Sequence, residues 1–368
     1  MTARRQSRRV MQRIASARVV ALVVAAVAHA ALSAAQSAPA RSDEKTTAPS
    51  TRAAPAIALV LPLASATYAR AAAAVKDGFL AAAAVAGEQP AVITHADNDV
   101  EGAFAQAREA GARVIVGPLV RDDVKAIAIM GFDSPLVLAL NQVDEGLVLP
   151  DNMYALTLAV ESDARQLARL ARDNGATTLA VIGVDSPLHK RFAAAFVETW
   201  IQQGGAAPVT LRFDRSPEAL ALLKRELAKT PQDAALLAVD AADAVLVKPY
   251  VGTIAAYAGS TVNDRQPRET LLELDGVRFI EIPWLATPEA REFARISRPP
   301  LGSATLDRLY ALGVDAFRVA HLLADARTER IEFDGATGHL TLDATRQFAR
   351  EGRALQFKGG HAVPAGAP

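Results

Sequence analysis

Short apolar segments alternate with alanine-rich segments of helical periodicity along most of the chain beyond residue 56. The β-branched and leucine-rich segments predict buried strands, because a strand inside a parallel sheet is covered by helices on both faces. The first predicted strands are Ile57–Leu63, Ala91–Thr94, Arg113–Val116 and Leu136–Leu140. The helices predicted between them are Tyr68–Val85, Val100–Ala110 and Asp122–Ile129. This alternation indicates successive β-α units.

A second series of the same kind begins after a polar loop at Asp144–Asn152. Its predicted helices are Ser162–Asp173, Pro187–Gln203 and Pro217–Lys229. Its predicted strands are Thr178–Gly183, Pro208–Phe213 and Ala235–Val239. The C-terminal third departs from the alternation and predicts a strand at Val277–Ile282, an amphipathic helix at Leu306–Ala324 and a β-hairpin within Ile331–Lys358.

The two series predict an α/β protein with two doubly wound parallel-sheet lobes. Parallel strands need right-handed crossovers, so helices cover both faces of each sheet and the carboxyl ends of the strands meet at one edge. The loops at these edges are expected to face a common crevice, which is where open α/β sheets bind ligands.

Three candidate ligand-binding residues lie in the predicted loops of the first lobe. Ser65 and Thr67 occupy the first β-α turn, where a hydroxyl contacts a ligand or caps the following helix. Arg121 begins the third helix and is suited to pairing with an anion, although an arginine at this position is commonly solvated.

Three further candidates come directly after predicted strands. Asn141 belongs to the first lobe, whereas Asp185 and Asp240 belong to the second. Side chains on opposite lobes could close over a shared ligand, and each could instead hydrogen-bond within its own loop. Both interpretations stay open for all three residues.

The sequence offers little for metal or nucleophilic chemistry. The six histidines show no zinc-ligand spacing, and neither a Gly-x-Ser-x-Gly motif nor a phosphate-binding glycine-rich loop is present. The chain has no cysteine, which excludes disulfides, thiolate nucleophiles and cysteine-held metals. We therefore expect no metal, no cofactor and no enzymatic activity.

The N-terminal segment has the composition of an export signal. Residues 1–35 contain six arginines and no acidic residue, an apolar run at Val19–Ala28 and small residues beyond it. Residues 36–55, rich in Ala, Ser, Thr and Pro, are predicted to form a flexible leader. We expect a periplasmic protein that is not inserted in the membrane after signal cleavage, since no cysteine is present to carry a lipid.

Charge gives no indication of a nucleic-acid partner. Basic and acidic residues number 40 each over the whole chain, and without the arginines of residues 1–35 the acidic residues are in excess. A mildly acidic body does not favour adhesion to a polyanion, so we expect no nucleic-acid binding.

Four segments carry a resemblance to known proteins. They are Ile57–Leu63 with the following Tyr68–Arg70 and Asp77–Phe79, Val116–Leu119, Leu138–Asn141 and Phe333–Leu340, the last reading Phe-Asp-Gly-Ala-Thr-Gly-His-Leu. With the predicted architecture, the chain resembles the type I periplasmic binding fold over about residues 57–360. Within that fold it is most similar to the penicillin-binding protein activator family of LppC-like envelope proteins.

The resemblance implies two lobes joined by three crossovers. It assigns residues 57–158 and 255–330 to lobe 1, residues 159–254 and 331–360 to lobe 2, and residues 361–368 to a tail. It also implies a non-enzymatic role, which is regulation of peptidoglycan synthesis through a penicillin-binding protein.

A different function is compatible with the same fold. A soluble periplasmic receptor closes on a small ligand, here an amino acid-like or cell-wall-derived molecule, in the cleft between its lobes. Receptors of this kind hold a carboxylate with hydroxyls and backbone N–H groups at a helix start. The corresponding stretch here, Gly117–Asp122, has no Ser or Thr and includes a proline, which weakens the amino-acid interpretation.

Overall fold

The computed structural model of the protein describes residues 56–131, 133–142, 148–325 and 330–366, all within one compact unit, Arg52–Pro368. The predicted signal peptide and leader lie outside the described residues. A search of the described helices finds none with the length and apolar character needed to span a lipid bilayer.

The N-terminal third follows the predicted β-α alternation. Its strands are β1 (Ile57–Leu61), β2 (Ala91–Thr94), β3 (Val114–Val116), β4 (Leu136–Ala139) and β5 (Met153–Ala155). Its helices are α1 (Ala69–Ala86), α2 (Val100–Glu109) and α3 (Arg121–Met130). The four predicted strands and three predicted helices are confirmed, and β5 is an additional strand.

The middle of the chain repeats the alternation. Its helices are α4 (Val160–Asp173), α5 (Pro187–Gln202), α6 (Pro217–Lys229), α7 (Ala241–Val251) and α8 (Arg268–Leu272). Its strands are β6 (Leu179–Gly183), β7 (Val209–Arg212), β8 (Ala234–Ala238), β9 (Ala255–Ala258) and β10 (Arg278–Glu281). The sequence analysis predicted neither α7 nor β9. Ser186 and Ser216 cap α5 and α6, and a proline occupies the first turn of each.

The C-terminal part contains two helices and five strands. They are α9 (Pro283–Ala286), α10 (Ala304–Ala324), β11 (Glu332–Asp334), β12 (His339–Leu342), β13 (Phe348–Glu351), β14 (Arg353–Lys358) and β15 (His361–Pro364). Where a hairpin was predicted, β11, β12 and β13 form a three-stranded antiparallel sheet. The prediction of a tail from residue 361 is wrong for residues 361–364, because β15 pairs with β14 through backbone hydrogen bonds.

The two larger sheets have the predicted doubly wound form. The first is parallel throughout, in the order β2-β1-β3-β4-β5, and every residue of β1 is buried. The second has the order β15-β14-β10-β9-β8-β6-β7, in which β14 runs antiparallel to both of its neighbours, β10 and β15. Helices cover both faces of each sheet and produce two apolar cores per sheet.

The three-stranded sheet belongs with the first large sheet. The N–H of Ala155 in β5 donates to the carbonyl of Arg346 at 3.0 Å, which places the segment before β13 beside β5. Leu340 and Phe348 lie in the same apolar core as β1 and α10. We call lobe 1 the first sheet with α1–α3, α9, α10 and β11–β13, and lobe 2 the second sheet with α4–α8.

The chain crosses between the lobes three times. The crossings are residues 156–159 between β5 and α4, Ile282 between β10 and α9, and Gly352 between β13 and β14. This number agrees with the predicted fold class, but the assignment of residues to the lobes differs. Residues 255–281 join the second sheet and residues 331–351 pack on lobe 1, the reverse of what was expected. Apolar strands look alike in sequence, so their pattern does not specify which sheet they join.

The closest approach of two helices in lobe 1 depends on glycine. A Cβ atom at Gly313 of α10 would lie 2.0 Å from the carbonyl oxygen of Val75 in α1, and one at Gly78 would lie 1.9 Å from that of Tyr310. The two backbones therefore touch where side chains would otherwise separate them. This contact places α10 deep in the lobe, and most of the helix is buried.

We expect Gly313→Ala to lower the free energy of unfolding by about 3 kcal/mol, because the added methyl group meets fixed backbone atoms. Urea unfolding followed by circular dichroism measures this. Gly102→Ala, within α2, is the matched control. A Cβ there meets only the movable Asp99 side chain, and alanine favours a helix by about 1 kcal/mol. Equal stability of the two variants would contradict the close helix contact.

Candidate functional site

A cavity of about 180 Å³ lies between the lobes at the carboxyl ends of their strands. Six leucine side chains form its apolar walls, and Arg121 and Asn141 of lobe 1 face Glu161 and Arg191 of lobe 2 across it. Drug-sized ligands occupy roughly 300–1,000 Å³, so this cavity admits only a smaller molecule. The predicted crevice is thus present, and both charged side chains and leucine side chains line it.

Arg121 and Asn141 are the two sequence-predicted residues that line this cavity. Arg121 is half-buried and makes no hydrogen bond or ion pair with another described residue. The amide of Asn141 donates to the carbonyl of Leu119 at 3.0 Å, and its oxygen accepts the N–H of Gln142 at 2.9 Å. Asn141 therefore ties two loops of lobe 1 together, whereas Arg121 has no such tie to the described residues.

The first β-α turn has a structural role. The hydroxyl oxygen of Ser65 accepts the N–H groups of Thr67 and Tyr68, at 3.2 and 3.0 Å, at the start of α1. Ser65 is buried, Thr67 is exposed, and neither lines the cavity. The Ser65 hydroxyl thus holds the turn that leads into α1, and a ligand role for either residue stays a prediction.

The two candidate aspartates of lobe 2 are exposed and engaged locally. Asp185 pairs with Lys190, and the hydrogen bond from this lysine lowers the pKa of the carboxyl. Asp240 caps α7 by accepting the N–H of Asp243 at 2.8 Å. Neither residue lines the cavity, so the structure does not bring them together with Arg121 and Asn141.

Glu161 and Arg191 are cavity residues that the sequence analysis missed. Oε1 of Glu161 lies 3.5 Å from Nε of Arg191 and accepts a hydrogen bond from Gln142 at 3.4 Å. Its buried Oε2 has no hydrogen-bond partner among the described residues. In sequence, Glu161 is an ordinary acidic residue in a helix first turn, and only its place next to a crossing distinguishes it.

A second polar centre lies under the Phe333–Leu340 segment. Asp315 of α10 is fully buried, and its carboxylate accepts the N–H groups of Ala336 and Thr337 and the hydroxyl of Thr337, at 2.7–2.8 Å. Burial raises the pKa of Asp315, while the Thr337 hydroxyl and Arg318 oppose that shift. Gly335 leaves the necessary room, since a Cβ there would lie 2.5 Å from Oδ2 of Asp315.

The described residues do not form a metal centre. No group of three or more His, Asp or Glu side chains in the described ranges is placed to hold an ion. The buried carboxylates instead face arginines or backbone N–H groups, which are structural partners.

Comparison with known proteins identifies the family. A model described as “LppC putative lipoprotein” matches residues 28–360, which is most of the chain. The chain belongs to the LppC family. This confirms the resemblance inferred from the four sequence segments.

The related proteins are longer than the matched region. Penicillin-binding protein activator LpoA of Klebsiella pneumoniae is 28% identical over 301 residues, an alignment that covers 71% of this chain and 42% of the relative. This LppC chain therefore spans less than half the length of that curated relative. Other curated relatives of the same name are similarly matched, among them one from Mannheimia succiniciproducens.

Solved structures support the type I periplasmic binding fold. The C-domain of LpoA (YraM) from Haemophilus influenzae, a regulator of PBP1A, has a TM-score of 0.71 at 23% identity and covers 84% of this chain and 99% of its own. A “putative branched-chain amino acid ABC transporter” from Chromobacterium violaceum has a TM-score of 0.71 at 32% identity and covers 81% and 98%. Both likenesses extend over the two lobes.

We expect Asp315→Asn to lower the free energy of unfolding by about 3 kcal/mol, because an amide NH₂ would face donors that need an acceptor. Denaturant unfolding of the variant and the unchanged chain measures the difference. Asp173→Asn makes the same chemical change at an exposed position of α4 and should leave stability within about 0.5 kcal/mol. A tolerated Asp315→Asn would show that this carboxylate does not hold the turn.

Proposed function

We propose that this protein is a non-enzymatic regulator of peptidoglycan synthesis that acts through a penicillin-binding protein. The observation that carries the proposal is membership of the LppC family over residues 28–360. Curated relatives are named penicillin-binding protein activators, and the related Haemophilus C-domain belongs to a regulator of PBP1A. The fold match to that C-domain supports the proposal that this chain corresponds to the C-domain of LpoA.

The chemistry of the cleft supports a binding role. Asn141, which lines the cleft, joins two loops, and the candidates outside it are engaged locally, since Ser65 holds the turn before α1 and Asp240 caps α7. Catalysis by a general base or nucleophile needs a second group within hydrogen-bond reach to orient or activate the first. In the cleft the half-buried cation Arg191 instead pairs with the carboxylate of Glu161. We therefore propose that the protein acts by contact with its partner and not by turnover.

We propose a periplasmic location on the basis of the N-terminal sequence. Six arginines precede an apolar run and small residues, the order of a cleavable export signal. Fractionation of cells expressing the chain tests this location: recovery in the cytoplasm would contradict it.

The regulatory function predicts capture and stimulation of a synthase. The purified chain is immobilised, incubated with solubilised envelope from the same organism, and the bound penicillin-binding proteins are detected with a fluorescent penicillin. Addition of the chain to the recovered synthase should raise the rate of glycan polymerisation. Heat-unfolded chain is the control and should do neither. Absence of both capture and a rate change would overturn the proposal.

A small-ligand receptor is the second candidate, and one observation favours it. The Chromobacterium structure, a “putative” amino acid transporter component, is 32% identical over nearly its whole length. The cavity between the lobes offers Arg121 for an anionic group and leucines for an apolar one. We propose that any such ligand is smaller than a dipeptide of bulky residues, given the volume of about 180 Å³.

Thermal-shift screening of amino acids and cell-wall fragments tests this candidate. A ligand present at a hundred times its Kd adds about 2.7 kcal/mol to the stability and so raises Tm. Arg121→Ala should abolish the shift, whereas Arg225→Ala, an exposed position on α6, should preserve it. If no compound in the library raises the Tm of the unchanged chain or of the control, the receptor function is contradicted and the regulatory function is retained.

A further inference from the structure

Charged side chains are buried together where the chain crosses between the lobes. Asp163 follows the first crossing, Glu281 precedes the second and Arg350 precedes the third, and all three are buried. Each of these charges pairs with an opposite charge carried by the other lobe. The arrangement therefore differs from a simple hinge of three extended strands.

The first pair joins β10 of lobe 2 to α10 of lobe 1. The guanidinium of Arg308 donates to both carboxylate oxygens of Glu281, at 2.7 and 3.0 Å, and the two residues are 9% and 1% exposed. Arg308 also donates to the carbonyl of Ser260 at 2.8 Å. The side-chain amide of Asn263 donates a further hydrogen bond to the Glu281 carboxylate at 2.8 Å. Planar, two-point contacts of this kind fix orientation as well as distance.

The second pair joins α4 of lobe 2 to β13 of lobe 1. The guanidinium of Arg350 donates to Asp163 and also to the carbonyl of Thr337 at 3.2 Å. Burial raises the pKa of Asp163, and Arg350 opposes that shift. The charges of Glu281 and Arg308 also act on Asp163, so the two pairs form one cluster.

Neutral and rim contacts reinforce the cluster. The side-chain amide of Gln166 on α4 donates to the carbonyl of Gly352 at 2.9 Å and accepts its N–H at 3.0 Å, holding the third crossing as a neighbouring strand would. At the first turn of α10, Asp307 accepts a hydrogen bond at 2.7 Å from Arg265 of lobe 2. Contacts other than the two buried ion pairs therefore also link the lobes close to the crossings.

We propose that these inter-lobe contacts fix the two lobes in a single orientation, so that the cleft does not close on a ligand. Rotation of one lobe shifts groups that are anchored on different lobes and lie off the rotation axis, whereas hydrogen bonds hold only within about 2.7–3.2 Å. Opening would leave buried charges without partners, which is strongly unfavourable. The protein then presents both lobes as one rigid surface, and an occupant of the cleft has to fit the existing cavity.

The distance between the lobes can be measured with spin labels, because the sequence contains no cysteine that would compete with two introduced ones. Glu101→Cys and Glu218→Cys place two spin labels on exposed first turns of α2 and α6, one on each lobe. Pulsed electron paramagnetic resonance of the full chain then gives the distribution of inter-lobe distances. We expect a single narrow distribution. A broad or two-peaked distribution in this otherwise unchanged chain would overturn the proposal.

Two variants test which contacts are responsible. Arg308→Met removes the bidentate pair and its contact with Ser260, and should broaden the distance distribution by about twofold. Gln166→Ala removes only the two hydrogen bonds to Gly352 from a half-buried side chain and should broaden it less. Because Gln166→Ala leaves no buried charge unpaired, it keeps the test valid if Arg308→Met does not fold.

Arg215→Met is the matched control. It removes an ion pair with Asp243, at 2.6 Å, that lies wholly within lobe 2. Its distance distribution should equal that of the unchanged chain. Thermal unfolding confirms that each variant is folded before the distances are compared. If the Arg308 and Gln166 variants fold and their distance distributions stay as narrow as that of the unchanged chain, the inter-lobe contacts do not fix the orientation of the lobes.

Discussion

Glu281 and Arg308 are buried together at the point where the chain leaves the second sheet. Removing an ion from water costs several kcal/mol, and the pair recovers this only when its geometry is good and its remaining hydrogen bonds are made. Here Asn263 and the carbonyl of Ser260 make them. The position of α10 is thus set at two places, by the ion pair in its first turns and by the glycine contact with α1 near its middle. Because α10 belongs to the core of lobe 1 and holds lobe 2, the orientation of the cleft follows from it.

The sequence predicted the elements better than their arrangement. Strands such as β1 and β8 were recognisable because they are continuous apolar runs buried on both faces. Helix α7 was missed because it is apolar nearly all round and contains Pro249, so it shows little helical periodicity. Strand β9 was missed because its alanines favour helices, and its neighbours β8 and β10 place it in the sheet. Which strands pair in a sheet depends on contacts between residues far apart in sequence, and local periodicity carries no information about them.

The candidate site was predictable as a region and less so residue by residue. The rule that loops at the carboxyl ends of parallel strands line a crevice selected Arg121 and Asn141, which line the cavity, and their ligand role stays a prediction. The same rule also selected Ser65 and Asp240, because helix starts need capping groups whether or not a ligand is present. Hydroxyls and carboxylates at these positions satisfy backbone donors first. Glu161 differs from them only through its three-dimensional neighbours.

The buried parts of the segments that carry the family resemblance help to build the interior. The Phe333–Leu340 turn surrounds the carboxylate of Asp315, and Gly335 is required because no Cβ fits beside that group. The Ile57–Leu63 segment contains β1, a strand of lobe 1 that is buried throughout. Such residues specify how the lobes are built and not which molecule they contact. Membership of the family therefore fixes the framework, while the choice of partner depends on exposed side chains, some of which, such as Tyr68 and Asp334, belong to the same segments.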